Sequence, residues 1–406
     1  MRACVPTAAL AASILTACGG GDSTGTNDVP AFMSKVGSDP AYVIAGASFS
    51  DSIRVNVTDA SNKPASGASV TFDVLVGGGS VTPTTVIADA NGNAAAKFIT
   101  GTTPGINTVL ASVTGVTDVP FSTVTVAAGT IVWSSIPTDT LRGVWGTSAS
   151  DVWAVGYHGV LKHFNGTSWT PFTSGTTEPL VGVWGTSPSN VWIVGGLNGT
   201  IFHYDGASWS SVFEHGERGV LFGVWGGSAS DVWVVGNTDS VFHYNGTTWS
   251  NVATITPTIF GMWGNTASDI WAVGYTLGPG GTVFHYDGAT WSGVYPGTTQ
   301  GLSGVWGTSA SDVWATGAGG VIVHYNGTSW SSVSSPTTQG LVSVWAASAS
   351  DAWAVGYGGA IIHYNGTSWS NVTSGTNQDL FGVWGSSGSD IWAVGTAGLL
   401  HGVAAH

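Results

Sequence analysis

Residues 143–169 read GVWGTSASDVWAVGYHGVLKHFNGTSW, and variants of this string follow one another to the end of the chain. Its first tryptophan recurs in seven repeats, and a second tryptophan lies eight residues further on in each. These positions are Trp145, Trp184, Trp225, Trp263, Trp306, Trp345 and Trp384, followed by Trp153, Trp192, Trp233, Trp271, Trp314, Trp353 and Trp392. A period near forty residues with four short apolar runs is typical of β-propeller blades. The sequence therefore predicts a seven-bladed β-propeller over residues 130–406.

A third tryptophan ends six of the repeats, and its distribution predicts how the ring closes. It stands at Trp169, Trp209, Trp249, Trp291, Trp330 and Trp369. The seventh repeat ends at Leu399 and Leu400 without one, whereas the segment Thr130–Ser134, which precedes the first repeat, contains Trp133. We expect this N-terminal strand to pair with the C-terminal strands and complete the last blade. Closure leaves no open sheet edge for a second chain, so we expect a monomer.

The other recurring side chains predict structural roles. Repeated tryptophans indicate packing between blades, since burying one contributes about 5 kcal/mol before opposing terms. A histidine recurs on the predicted third strand, at His163, His203, His243, His285, His324, His363 and His401. That strand lies about 10 Å outside the innermost one, so these imidazoles cannot converge on one metal ion, and we expect a buried hydrogen bond within each blade. An acidic or amide residue precedes the second strand and is expected to cap backbone N–H groups of a tight turn. It stands at Asp151, Asn190, Asp231, Asp269, Asp312, Asp351 and Asp390.

The N-terminus predicts export and lipid attachment. Residues 1–17 contain a short apolar run and small residues, as in a secretory signal peptide. The string Leu15-Thr16-Ala17-Cys18-Gly19 resembles the lipobox of bacterial lipoproteins, which implies that Cys18 becomes the lipidated first residue of the mature chain. Residues 18–28 form a polar tether. We expect a protein anchored in the cell envelope, at the outer membrane or the cell surface; an ordinary signal peptide with a chance cysteine is the alternative.

Residues 29–128 predict a β-sandwich. Short runs such as Ile53–Val57 alternate apolar and polar residues between turn sequences. The turns Asn62–Gly67, Gly77–Val81 and Asp89–Ala94 resemble those of bacterial Ig-like domains of the invasin and intimin type. This resemblance implies a spacer rather than a reactive site.

The charge balance narrows the possible partners. The chain has a net charge of −14, with only eight lysines and arginines, so it offers no basic surface for a phosphate backbone. We therefore expect no nucleic-acid partner, and no membrane contact other than the lipid anchor. The sequence also gives no cofactor or metal-binding motif.

Two turns indicate possible relatives of the propeller. Asp205–Trp209 and Asp287–Trp291 resemble the Asp boxes of sialidase propellers, although each is one residue shorter. The repeats also resemble photosystem-assembly-factor-like propellers and, more loosely, tectonin-type lectins. In these families the box is a structural turn. Sialidase catalysis needs three arginines on the substrate carboxylate, whereas residues 130–406 contain only Arg142 and Arg218.

Loop lengths predict the binding face. The loops between strands one and two and between three and four have constant length, whereas the other two loops vary and share one face of the propeller. We expect a glycan, or an envelope or extracellular protein, to bind that face. The candidate ligand-binding residues are Glu214, His215, Glu217, Arg218, Tyr275, Tyr157, His158 and Tyr295. Solvated loops without a ligand, and a purely structural or assembly role, are alternatives.

We expect no catalytic residue and interpret the chain as a binding protein rather than an enzyme. The alternative is a secreted glycoside hydrolase with a carboxylate pair on the variable face. Its candidate carboxylates are Glu178, Glu214, Glu217, Asp239 and Asp379.

Overall fold

A computed structural model describes residues 29–405 except 41, 50–51, 215, 217–218, 238–239, 256–257 and 276–279. The chain divides into two compact units, Met1–Ala127 and Ala128–His406. The predicted signal peptide, Cys18 and the tether lie outside the described residues. No helix among the described residues has the length and apolar character needed to cross a membrane.

The first unit consists of two sheets over a shared apolar core. Its strands are β1 (Phe32–Lys35), β2 (Tyr42–Ile44), β3 (Ile53–Thr58), β4 (Ser69–Val76), β5 (Ser80–Thr82), β6 (Thr85–Ile87), β7 (Asn93–Ile99), β8 (Gly105–Ser112) and β9 (Val119–Val126). The sheet orders are β1-β3-β7-β5 and β2-β9-β8-β4-β6. Alternate residues of β3 and β7 point into the core, where Val55 and Phe98 join Phe72 and Val109 of the other sheet. The alternating sequence thus gives a two-layer all-β unit.

The described part of the second unit contains seven four-stranded antiparallel sheets. The first sheet contains β11 (Leu141–Ser148), β12 (Asp151–Gly156), β13 (Leu161–Phe164) and β14 (Trp169–Phe172), and the second contains β15 (Leu180–Ser187), β16 (Asn190–Gly195), β17 (Thr200–Tyr204) and β18 (Trp209–Glu214). The third contains β19 (Leu221–Ser228), β20 (Asp231–Gly236), β21 (Ser240–Tyr244) and β22 (Trp249–Thr254), and the fourth contains β23 (Thr258–Thr266), β24 (Asp269–Tyr275), β25 (Gly281–Tyr286) and β26 (Trp291–Val294). The fifth contains β27 (Leu302–Ser309), β28 (Asp312–Gly317), β29 (Ile322–Tyr325) and β30 (Trp330–Val333), and the sixth contains β31 (Leu341–Ser348), β32 (Asp351–Gly356), β33 (Ile361–Tyr364) and β34 (Trp369–Val372). The seventh combines β35 (Leu380–Ser387), β36 (Asp390–Gly395) and β37 (Gly398–Ala404) with β10 (Ile131–Pro137). Single 3-10 turns span Tyr157–Gly159, Ala318–Gly320 and Tyr357–Gly359.

The seventh sheet joins both ends of the second unit. Strand β10 pairs antiparallel with β37, so that Trp133 lies opposite Gly402 and Ser135 opposite Leu400. This is the pairing that the missing third tryptophan of the last repeat predicts.

The first tryptophan of a repeat packs on the glycine of the next sheet. A Cβ atom at Gly185 would lie only 2.8 Å from Trp145 Cη2, so only glycine fits beneath this indole. The same contact joins the last sheet to the first, because a Cβ atom at Gly146 would lie 2.8 Å from Trp384 Cη2. The Trp-Gly dipeptide, present in six of the seven repeats, therefore sets how closely these neighbouring sheets pack; in the sixth sheet Ala346 takes the place of the glycine.

The second and third tryptophans form edge-to-face pairs between neighbouring sheets. Trp153 meets Trp209 with 5.3 Å between ring centroids and an interplanar angle of 79°. Trp353 meets Trp133 in the same way at 6.0 Å, so the indole contributed by β10 replaces the one that the seventh repeat lacks. Such pairs add about 0.5–1.5 kcal/mol each to the burial of the rings.

Each recurring histidine is hydrogen-bonded within its own sheet, as predicted, but its side chain is partly exposed rather than buried. His163 Nε2 lies 2.6 Å from Asp151 Oδ1, and His203 Nε2 lies 2.6 Å from Asn190 Oδ1. The imidazole also stacks on the second tryptophan, with 4.2 Å between the centroids of His163 and Trp153. The prediction for the acidic residue is wrong about what it binds. Its carboxylate binds the imidazole instead of capping backbone N–H groups of a turn. The antiparallel register explains this, because His163 lies opposite Trp153, two residues beyond Asp151.

Candidate functional site

The innermost strands of all seven sheets line one cavity of about 310 Å³. One residue of each strand varies among the sheets; it directly follows the apolar residue that begins the repeat, which is leucine in six sheets and Ile259 in the fourth. These residues are Arg142, Val181, Phe222, Phe260, Ser303, Val342 and Phe381. They lie at the channel end where each first strand begins, next to the variable loops. We call these seven residues the mouth ring.

The following residue of the repeat keeps the channel narrow. A Cβ atom at Gly143 would lie 2.6 Å from Val181 O, and one at Gly182 would lie 2.5 Å from Phe222 O, so glycine allows the inner strands to approach each other. Ser343 replaces this glycine in the sixth sheet, and its Oγ accepts a hydrogen bond from the Val383 backbone N–H at 3.3 Å. The mouth ring thus stands on a tightly packed support.

One side of the mouth ring is aromatic. Phe222 and Phe260 belong to neighbouring sheets, and their ring centroids are 5.1 Å apart at an interplanar angle of 45°. Phe260 is 37% exposed although it lines the channel. This pair provides an accessible apolar surface for a ligand side chain.

The side formed by the first and seventh sheets is cationic. The guanidinium carbon of Arg142 lies 4.4 Å from the ring centroid of Phe381 and 5.7 Å from that of Tyr157. The side chain of Arg142 has no hydrogen-bond or ion-pair partner among the described residues, whereas Lys162 pairs with Asp139 at 3.4 Å. Arg142 is therefore the half-buried cation of the described channel that lacks an anion.

The structure distributes the predicted site residues over three sheets. Tyr157 and His158 follow β12, and Tyr157 joins the mouth ring through Arg142. Tyr275 ends the second strand of the fourth sheet. Two others belong to outermost strands: Glu214 ends β18, and Tyr295, 73% exposed, follows β26. The predicted residues His215, Glu217 and Arg218 lie outside the described residues.

His158 has an unusual backbone conformation. Its φ of 57° lies in the left-handed region, where the corresponding turns contain Gly319 and Gly358 at 65° and 64°. This conformation costs a residue with a Cβ atom about 1 kcal/mol. This strained residue lies next to Tyr157, at the cationic side of the mouth ring.

Two of the three described carboxylates of the glycosidase alternative bind loop backbone, and the third, Glu214, is exposed at the end of β18. Glu178 Oε2 accepts the Leu197 N–H at 3.3 Å, and Asp379 Oδ1 accepts the Gly358 N–H at 2.9 Å. Glu217 and Asp239 lie outside the described residues. The observed contacts of Glu178 and Asp379 are those of residues that shape loops.

The Asp boxes are structural turns, as the resemblance implies. Asp205 Oδ1 accepts the N–H groups of Ala207 at 2.9 Å and Ser208 at 2.8 Å. These bonds stabilise the charged form, and the N–H of Ser208, followed by that of Ala207, lowers the pKa of Asp205. Asn165 makes the equivalent bonds with its amide oxygen, which explains why asparagine replaces aspartate in other repeats.

Two paired residues illustrate the electrostatics of the histidine sites. Burial lowers the pKa of His203, whose partner Asn190 has no charge; a more distant Asp205 opposes this shift. Burial alone would raise the pKa of Asp312, but hydrogen bonds from His324 and Thr308 outweigh it and the pKa is lowered. Asp312 is thus held in the ionised form by side chains of its own sheet.

Solved structures share the fold. No family model matches the sequence, and no curated protein sequence matches it. The chain is similar to YCF48 bound to D1 peptide (18% identity, TM-score 0.57, covering 68% of this chain and 95% of that chain) and to streptogramin B lyase (13%, 0.59, 68% and 98%). It is also similar to the WD40 β-propeller domain of Doa1 (10%, 0.55, 67% and 95%). These likenesses show an all-β chain with a β-propeller fold.

Proposed function

We propose that this chain is a cell-envelope binding protein whose propeller holds a peptide segment of a protein partner at the mouth ring. In this proposal a lipid on Cys18 anchors the chain, the sandwich of residues 29–128 is an Ig-like spacer, and the seven sheets of residues 130–406 are the blades of one closed propeller. The spacer and tether hold the propeller away from the lipid surface.

The observation that carries the proposal is the variety of the mouth ring within a nearly uniform repeat. Neighbouring positions repeat glycine, valine and tryptophan because they pack against equivalent partners. The mouth positions do not follow this uniformity: three hold phenylalanine, two hold valine, and one each holds arginine and serine. Instead the ring places arginine on one side and two phenylalanines on the other, and arginine and aromatic residues are the commonest anchors of protein interfaces.

Size and fold favour a peptide as the ligand. A cavity of about 310 Å³ accommodates a few side chains, not a folded domain. YCF48, whose solved structure contains a bound D1 peptide, has a similar fold. Tyr357, 49% exposed, also lines the cavity, and Tyr157, 38% exposed, packs on Arg142 at its mouth.

Peptide selection tests the proposal. The full chain in detergent micelles is used to select from a library of random twelve-residue peptides displayed on phage, and a Phe222→Ser/Phe260→Ser variant is then tested against the enriched peptides. We expect enrichment on the wild type and at least a tenfold loss of affinity in the variant, because each burial of an apolar ligand group contributes about 1.5–3 kcal/mol. Tyr295→Ser is the matched control, since it removes an exposed aromatic ring on an outermost strand.

Two results would overturn the proposal. The first is equal loss of peptide binding in the Tyr295 control and the mouth-ring variant, which would place binding elsewhere. The second is selective capture of a glycan on an array, with no peptide enriched, which would replace the protein partner by a carbohydrate.

A further inference from the structure

The surroundings of Arg142 indicate the chemistry of the ligand. Its guanidinium packs on Phe381 and Tyr157, and no carboxylate or carbonyl of the described residues accepts a hydrogen bond from it. These contacts with ring faces use none of the five N–H donors of the guanidinium, which have no partner among the described residues. These donors face the channel, where a ligand that carries matching acceptors can replace solvent.

Local charge supports an anionic ligand. Of the two cations that the described part of the second unit contains, Lys162 already pairs with Asp139. Asp379, two residues before Phe381, accepts the Gly358 N–H and is thereby held to its loop. A planar guanidinium pairs with a carboxylate through two parallel hydrogen bonds, which no other side chain of the mouth ring can provide.

We propose that Arg142 binds a carboxylate of the peptide while the Phe222–Phe260 pair binds an apolar side chain of the same peptide. This inference rests on the proposed function and specifies its ligand. The carboxylate comes either from the peptide C-terminus or from an acidic side chain; both present the same two oxygens to the guanidinium. The mouth ring then recognises its ligand at two points, one cationic and one apolar.

A DNA-encoded library of random hexapeptides in three forms tests the inference on the full chain. The first form has a free C-terminal acid and no Asp or Glu; the second is amidated and contains Asp and Glu; the third is amidated and has no carboxylate. We expect the wild type to enrich at least one of the first two forms tenfold or more over the third. Arg142→Gln should abolish that preference, and Arg142→Lys should retain only part of it, because lysine keeps the charge without the planar fork.

The outcomes separate this inference from the proposed function. Equal enrichment of all three forms by the wild type, each reduced by Phe222→Ser/Phe260→Ser, overturns the carboxylate inference and leaves peptide binding intact. Failure of every form to be enriched overturns both. A preference for carboxylates that persists in Arg142→Gln also overturns the inference, provided that the variant unfolds at the same temperature as the wild type.

Discussion

The third sheet contains a defect that one substitution should repair. In the first and fifth sheets a threonine two residues after the first tryptophan donates its hydroxyl to the sheet's aspartate, as Thr308 does to Asp312. The third sheet has Gly227 there, and Asp231 Oδ2 is buried without a hydrogen-bond partner. Asp231 Oδ1 instead accepts the indole N–H of Trp233 at 3.0 Å as well as binding the histidine. Gly227→Thr should therefore stabilise the propeller.

The expected gain follows from the local geometry. A Cβ atom at residue 227 would lie 2.7 Å from Asp231 Oδ2, the end of a side chain that can shift, and 3.5 Å from Ala267 Cβ, an ordinary contact. A hydrogen bond to a charged acceptor contributes about 1.5–3 kcal/mol when buried, and we take the lower part of that range because Asp231 is 20% exposed. The free energy of unfolding should rise by about 1.5–2 kcal/mol.

Tryptophan fluorescence measures this effect selectively, because all 21 tryptophans lie at or beyond Trp133. Urea unfolding of the full chain followed by fluorescence should show a higher midpoint for Gly227→Thr. Gly227→Val is the matched control, since it adds the same shape without the hydroxyl. An equal shift in both variants would refute the hydrogen-bond explanation, and destabilisation by threonine alone would refute the predicted geometry.

Three further predictions concern other sheets. Asn190→Asp should raise the pKa of His203, measured by NMR titration of its ring protons; an unchanged pKa would show that the partner's charge does not reach the imidazole. His158→Gly should raise the free energy of unfolding by about 1 kcal/mol in the same urea assay, because glycine adopts positive φ without strain, and a loss of stability would contradict this. Because the pKa of Asp312 is lowered in the folded state, its carboxylate stabilises the fold at pH values above its unfolded-state pKa. This stabilisation is lost as the pH falls through the folded-state pKa. Thr308→Val should therefore narrow the stability difference between neutral and acid pH, measured by thermal unfolding across pH; an unchanged difference would contradict the role of the hydroxyl.

The spacing of the tryptophans was sufficient to predict much of the second unit. Positions that recur at fixed intervals in seven repeats have equivalent partners, so one physical explanation covers them all. The displaced Trp133 predicted the pairing of β10 with β37 because a repeat short of one strand must be completed from elsewhere. The Ig-like identity of residues 29–128 and the lipid on Cys18 stay predictions.

The mouth ring was present in the sequence but was not recognised there. Its position was visible as the variable residue after the first leucine or isoleucine of each repeat, yet spacing alone does not show that Phe222, Phe260 and Arg142 share one channel. That proximity arises only when seven inner strands surround a common cavity. Loop length instead predicted Glu214 and Tyr295 as site residues, and these lie on or beside outermost strands. Likewise, the histidine that binds the aspartate of each sheet is distant from it in sequence, and the strand register brings the two together.

Photo-cross-linking tests the central claim most directly. A peptide selected on the full chain is synthesised with a benzophenone side chain at its apolar position, irradiated with the protein, and the adducts are mapped by mass spectrometry. Binding at the mouth ring predicts adducts on the channel-lining residues of β19 and β23, close to Phe222 and Phe260. Adducts confined to outermost strands, such as those around Glu214 or Tyr295, would contradict it.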